Sequence, residues 1–201
     1  GVCGGNCALD FDGDGVCDEF LGPCYAESLL YHGFEYNLIA IGNQCWFSEN
    51  LRTESYANGD EIPLGFGSGF GGTWYNGQGR RTYSPDFGPE YVSQYGYIYN
   101  HYACTDDRNV CPTGWHVPSD EDWNTLEIVL GLDSSQVESW GINRDTEGIG
   151  TALKSAMDDN PAWDGENTTG LSLVPGGYAN YGSPGDFYDT GVGQSEYAYG
   201  A

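Results

Sequence analysis

The most informative stretch of this chain reads Cys111-Pro112-Thr113-Gly114-Trp115-His116-Val117-Pro118-Ser119-Asp120-Glu121-Asp122-Trp123. It predicts a turn, a buried tryptophan and then the start of a helix. Ser119 is a favourable N-cap, and Asp122 stands at the third helical position, where its side chain can complete a capping box. Pro118 disfavours helix before the cap. We expect the helix to run to about Leu130 and to end at Gly131.

The segments around this helix predict an α+β fold. Residues 34–41 and 44–51 read as a β-hairpin around Gly42-Asn43. A second short helix is expected over residues 146–157, with Ile149, Leu153 and Met157 on its buried side. Residues 64–90 form a long loop rich in glycine and aromatic residues. The alternation of Tyr95, Tyr97 and Tyr99 predicts a strand with one tyrosine-lined face.

Several motifs resemble the Fibrobacter succinogenes major paralogous domain, whose signature reads CPxGWHVPSxxEW. Matching stretches occur in the family's order over residues 34–200: Gln44–Arg52 (QCWFSENLR), Tyr56–Pro63 (YANGDEIP), Gly96–Ala103 (GYIYNHYA), Leu153–Ser155 (LKS), Asn167–Ser172 (NTTGLS) and Pro175–Tyr178 (PGGY). The resemblance implies a secreted or cell-surface protein of Bacteroidetes-like bacteria, and the family's biochemical role is largely unassigned.

The Gly114–Trp123 stretch is also similar to a segment of formylglycine-generating-type proteins, which implies a C-type-lectin-like fold. Members of the Fibrobacter family usually continue beyond the point where this chain stops. The resemblance therefore implies that C-terminal strands, and the partner of one cysteine, are missing. Truncation or completion by another chain would each account for this.

The composition is strongly acidic. The 201 residues carry 30 Asp plus Glu against 6 Lys plus Arg, a formal net charge of −24. That charge argues against nucleic acid and anionic membrane surfaces as partners, and it favours bound cations. No stretch approaches the roughly 20 apolar residues of a membrane span, and no stretch has the pattern of a signal peptide.

Residues 1–25 predict a cysteine-rich calcium-binding repeat, similar to thrombospondin type 3 repeats. Calcium loops take carboxylates at alternate positions, a glycine at the turn and one main-chain carbonyl. Position 12 of this loop is Leu21 rather than glutamate, so an EF-hand is incomplete. The predicted calcium ligands are Asp10, Asp12, Asp14, Asp18 and the carbonyl of Val16.

Seven cysteines predict disulfides and a secreted protein. The first four, Cys3, Cys7, Cys17 and Cys24, are expected to staple the N-terminal repeat, and zinc is the less favoured reading of their spacing. The other three are Cys45, Cys104 and Cys111. The cysteine expected in the missing strand would pair with Cys111 or Cys45, and the other of these two could pair with Cys104. The Cys104–Cys111 loop is short enough for a local bridge, and the sequence does not choose between these pairings.

Catalytic motifs are missing from the sequence. It holds three histidines and no nucleophile elbow, HExxH or P-loop, so we expect no enzyme. Trp46, Trp115 and Trp123 are assigned to the core. The candidate ligand-binding aromatics are Trp74, Tyr75, Tyr83, Tyr95, Tyr97 and Tyr99.

The sequence thus predicts a cysteine-rich calcium repeat (1–25), a linker (26–33) and an α+β domain (34–201). We expect a calcium-stabilised structural or adhesive module outside the cell, with self-assembly or neighbouring surface-protein domains as partners and a filament subunit as one form. The alternative is a carbohydrate-binding domain.

Overall fold

A computed structural model of the chain describes residues 24, 26–65, 77–83, 88–137 and 148–176. Its first feature is a three-stranded antiparallel sheet in the order β1-β2-β3, formed by β1 (Ser28–Tyr31), β2 (Phe34–Ile41) and β3 (Gln44–Phe47). The predicted hairpin around Gly42 is confirmed. Residues 26–33 are not a plain linker, because β1 lies within them and pairs with β2 through a turn at His32 and Gly33, both at positive φ.

Short elements follow the sheet. The strands β4 (Arg81–Thr82) and β5 (Ile98–Tyr99) pair antiparallel, and the helices α1 (Val92–Tyr95) and α2 (His101–Cys104) flank β5. The predicted tyrosine strand is therefore wrong in part. Tyr95 ends α1, and Gly96 at φ +73° turns the chain before β5 begins.

The longest described helix is α3 (Asp120–Val129), and its start is the capping box predicted for Ser119 and Asp122. Its last residue is Val129, Leu130 is the C-cap, and Gly131 follows at φ +112°. The second predicted helix is shorter than expected. It is α4 (Ile149–Leu153), because Lys154 turns to extended backbone, and Met157 is 73% exposed rather than buried.

The core lies on both faces of the sheet. On one face, Tyr36 and Leu51 pack with the loops that carry Tyr56, Ile62 and Val110. On the other face is a cluster formed with α3 and α4, whose buried members are Ile41, Trp46, Leu126, Leu132, Ile149, Leu153 and Leu171. Residues along β2 and β3 alternate between the two clusters, as the pleat of a strand requires.

Short antiparallel strands with a few helices make this an α+β arrangement, as the sequence predicts. Two short 3-10 helices, Pro89–Tyr91 and Ser134–Gln136, complete the regular elements of the described chain. Over the same residues, no helix has the length and apolar character needed to cross a membrane.

Candidate binding cavity

A cavity of about 350 Å³ lies along β3, and all four residues of that strand line it. Side chains of consecutive strand residues point to opposite faces of a sheet. A cavity that contacts all four must therefore run along the edge of the strand rather than over one face. It sits where the two core clusters meet.

Five aromatic rings line the cavity, those of Trp46, Phe47, Tyr99, Trp115 and Trp123. The ring of Trp46 packs on Trp123 of α3 with 4.8 Å between centroids, and Phe47 packs on Trp115 at 4.4 Å. Trp46 is 8% exposed. Trp115 lies in the turn before α3, and Trp123 lies in the first turn of that helix. Such an apolar surface suits a ligand that buries hydrophobic groups.

Two carboxylates stand among the lining residues, those of Asp122 and Glu49. The Asp122 carboxylate accepts from the Ser119 hydroxyl at 2.6 Å and the Ser119 amide at 2.8 Å, and His116 Nε2 lies 3.0 Å away. Hydrogen bonds from Ser119 hold the pKa of Asp122 below its usual value. Asp122 is therefore ionised at neutral pH.

Glu49 is held in place from β2. Its carboxylate accepts from the main-chain amide of Asn37 at 2.8 Å and from the Asn37 side chain at 2.7 Å. With two carboxylates and an exposed histidine as the titratable groups on its polar side, the cavity presents negative charge around an apolar interior.

Three sulfur-bearing side chains also line the cavity. Cys45 is bonded to Cys24, so Cys24 staples β3 rather than the N-terminal repeat, and a Cys45–Cys104 bond is ruled out. Cys104 and Cys111 are free thiols, and the local bridge between them is not formed. Burial raises the pKa of Cys111 to about 12 and also raises that of Cys104. Both thiols are protonated at neutral pH and poorly nucleophilic.

The predicted ligand-binding tyrosines do not share one face. Tyr99 lines the cavity, and its hydroxyl donates to the Thr53 carbonyl at 2.7 Å. Tyr97 lies under the guanidinium of Arg81 at 4.7 Å and donates to Glu54 at 2.7 Å.

The remaining predicted aromatics lie elsewhere. Tyr95 is in α1 and Tyr83 is partly buried after β4, whereas Trp74 and Tyr75 lie outside the described residues. The sequence interpretation missed Trp46, Trp115 and Trp123 as cavity residues by assigning them to the core. A signal was present: Gln44–Phe47 carries large side chains at odd and even positions, which indicates a strand covered on both faces.

The predicted calcium ligands, Asp10, Asp12, Asp14, Val16 and Asp18, lie outside the described residues, as do Cys3, Cys7 and Cys17. Within the part of the chain that the structure describes, no group of three or more His, Cys, Asp or Glu side chains is placed to hold a metal ion. Calcium binding by the N-terminal repeat remains a prediction.

Comparison with models of known protein families gives a match over residues 39–197, to the model described as the Fibrobacter succinogenes major domain. No curated protein and no solved structure matches the chain.

Proposed function

Because the chain belongs to the Fibrobacter succinogenes major domain family, we propose that it is an extracellular structural or adhesive module of a bacterial surface protein. Its partners are other protein chains, either copies of itself in a filament or neighbouring surface domains. The observation that carries this proposal is the aromatic cavity along β3. A cavity of this kind buries apolar groups of a partner.

Two further features support an extracellular module. The Cys24–Cys45 disulfide is typical of proteins that fold in an oxidising compartment. The acidic N-terminal repeat, with Asp10, Asp12 and Asp14 at alternate positions, suits calcium at the concentrations found outside cells. We further propose that the α+β domain has a C-type-lectin-like fold, as in formylglycine-generating-type proteins.

Electron microscopy and sedimentation of the native protein, with calcium and then with excess chelator, test this function. We expect filaments or assemblies with other surface proteins that fall apart on chelation. Isolated monomers in both conditions, together with no adhesion of the labelled protein to cells, would reject it.

Carbohydrate binding is the second candidate, and a specific observation favours it. The cavity lining combines aromatic rings with the carboxylates of Glu49 and Asp122 and the amide of Asn50, a combination that sugar-binding sites use. A glycan array tests this function. Saturable binding that is lost in Trp115→Ala would support it, and an array with no signal would exclude it for the glycans displayed.

A further inference from the structure

Among the residues that the structure describes, one side of the β3 backbone has no partner strand. In an antiparallel pair, residues that exchange hydrogen bonds with the partner strand alternate with residues whose N–H and C=O point away. Ser48 N donates to the Asn37 carbonyl at 3.0 Å, which makes that pair a hydrogen-bonded one. Following the register back along the strand, Phe47 opposite Leu38 and Cys45 opposite Ala40 fall at the alternate positions. Their main-chain groups therefore face away from β2.

No other strand occupies that side among the described residues, since β3 ends the order β1-β2-β3. The cavity lies along the same edge. A chain segment placed there could pair with the N–H and C=O groups of Cys45 and Phe47. Every second side chain of that segment would then enter the space between Trp46, Trp115 and Trp123. Hydrogen-bonding edge and apolar space are thus combined in one place, as in sites that bind a peptide by adding a strand.

The charge of the cavity lining indicates which kind of chain segment could pair with β3. Asp122 and Glu49 put negative charge on the lining, and the chain as a whole carries −24. A second copy of this chain would meet like charge at this edge, whereas a segment with basic residues at its ends would be attracted. The cavity interior favours uncharged, bulky side chains.

We infer that β3 is a strand-addition site for an extended apolar segment with basic flanking residues, supplied by a different protein chain. This inference rests on the proposed function and names the chemistry of the partner. The Cys45 and Phe47 main-chain groups hold the backbone of the added strand. The aromatic wall selects its side chains, and the two carboxylates select its ends.

The test uses the full-length protein and a synthetic peptide, acetyl-Lys-Val-Thr-Trp-Thr-Val-Lys-amide. We expect saturable binding and slower hydrogen exchange at the amides of Cys45 and Phe47, because each gains an acceptor. A matched peptide carries N-methyl groups on the amides that face β3. Losing these donors should weaken binding about tenfold or more, since each hydrogen bond contributes on the order of 1 kcal/mol.

A second matched peptide carries glutamate in place of both lysines. It should bind more weakly than the lysine peptide, and the difference should shrink as salt screens the charges. Binding that is insensitive to N-methylation, or that leaves the Cys45 and Phe47 amides unprotected, would overturn strand addition, as would no binding at all.

The two proposals fail separately. Adhesion or assembly without any peptide effect at the β3 amides would overturn this inference and leave the proposed function standing. Amide protection by the peptide in a protein that neither assembles nor adheres would support the strand site and reject the function.

Discussion

At the scale of single residues, Asp122 links the start of a helix to the charge of the cavity. One carboxylate closes the capping box with Ser119, lies within hydrogen-bonding distance of His116 and lines the cavity wall. The hydrogen bonds that lower its pKa also fix the position of α3 relative to the turn at residues 111–118. A change at the cap therefore affects both helix stability and the orientation of Trp123.

Replacing Ser119 by alanine should lower the free energy of unfolding by about 1 kcal/mol, because the amide of Asp122 loses its acceptor at the helix N-terminus. Urea denaturation followed by circular dichroism measures the change. Ser93→Ala is the control, since that exposed serine begins no helix. Equal stability of the two variants would contradict the capping role.

Local residue chemistry explains why this helix start could be predicted and the disulfide could not. Ser119 and Asp122 are three residues apart, so the sequence alone shows that their groups can meet. Cys24 and Cys45 are separated by 21 residues, and their pairing depends on where the fold places β3. The calcium ligands, as local a pattern as the cap, stay a prediction.

At the scale of elements, Gly96 sets the junction between α1 and β5. It has φ +73°, and a Cβ added there would lie 2.6 Å from Asn50 Cβ and 2.9 Å from the Leu51 carbonyl. The amide of the next residue, Tyr97, donates to that same carbonyl at 3.0 Å. This junction therefore holds the segment that carries Tyr95, Tyr97 and Tyr99 against the chain that follows β3.

Gly96→Ala should destabilise the protein by about 2–4 kcal/mol, the sum of strain at a backbone conformation that only glycine adopts readily and of steric overlap. Gly59→Ala is a matched control, since Gly59 has φ +89° but no atom within 4 Å of an added Cβ. Gly59→Ala should lower the free energy of unfolding by only about 1–2 kcal/mol. Chemical denaturation of both variants measures the difference. Similar losses would show that the close approach to Asn50 contributes nothing.

Elements with a simple local period were predictable, and elements ended by tertiary contacts were not. The β2–β3 hairpin has alternating residues and a Gly-Asn turn, and it forms as expected. The helix that begins at Ile149 stops at Leu153 instead of reaching Met157. It stops there because Lys154 bridges to Leu173 and Ser155 N donates to the Leu173 carbonyl at 2.8 Å. That partner lies 18 residues away, beyond the reach of a periodicity argument.

At the scale of the whole molecule, stability should be greatest between about pH 5 and pH 9. Burial raises the pKa values of Tyr31 and Cys111 to about 12, from ordinary values of 10.0 and 9.0. Folding thus favours their protonated forms. The stability that these two groups contribute to the folded state is fully present below their unfolded-state pKa values. It is lost as pH rises from about 9 through 12.

At acid pH, stability falls as pH is lowered. Hydrogen bonds from Arg108 lower the pKa of Asp106 to about 2, from 3.8. Its contribution is present above about pH 4 and is lost as pH falls through 2. Thermal unfolding measured across this pH range tests both limits. A melting temperature that keeps rising above pH 10, or that is unchanged below pH 3, would contradict the assignment.

The cavity is a property of the whole molecule, and this explains why the sequence did not reveal it. Its lining comes from four separate segments, residues 44–51, 99–111, 114–123 and 171–173. From the sequence, Trp46, Trp115 and Trp123 are assigned to the core. Only the sheet register and the position of α3 show that they surround a space.

For the adhesive function that we propose, the Cys24–Cys45 bond has a mechanical consequence. A pulling force applied through the N-terminal repeat reaches Cys24 and crosses the sulfur atoms directly into β3. The β1–β2 hairpin, enclosed between the two cysteines, lies outside the load path. While the disulfide is intact, the pulling force does not separate the β1–β2 hairpin from β3. The force acts first on the contacts of β3 and on the chain that follows it.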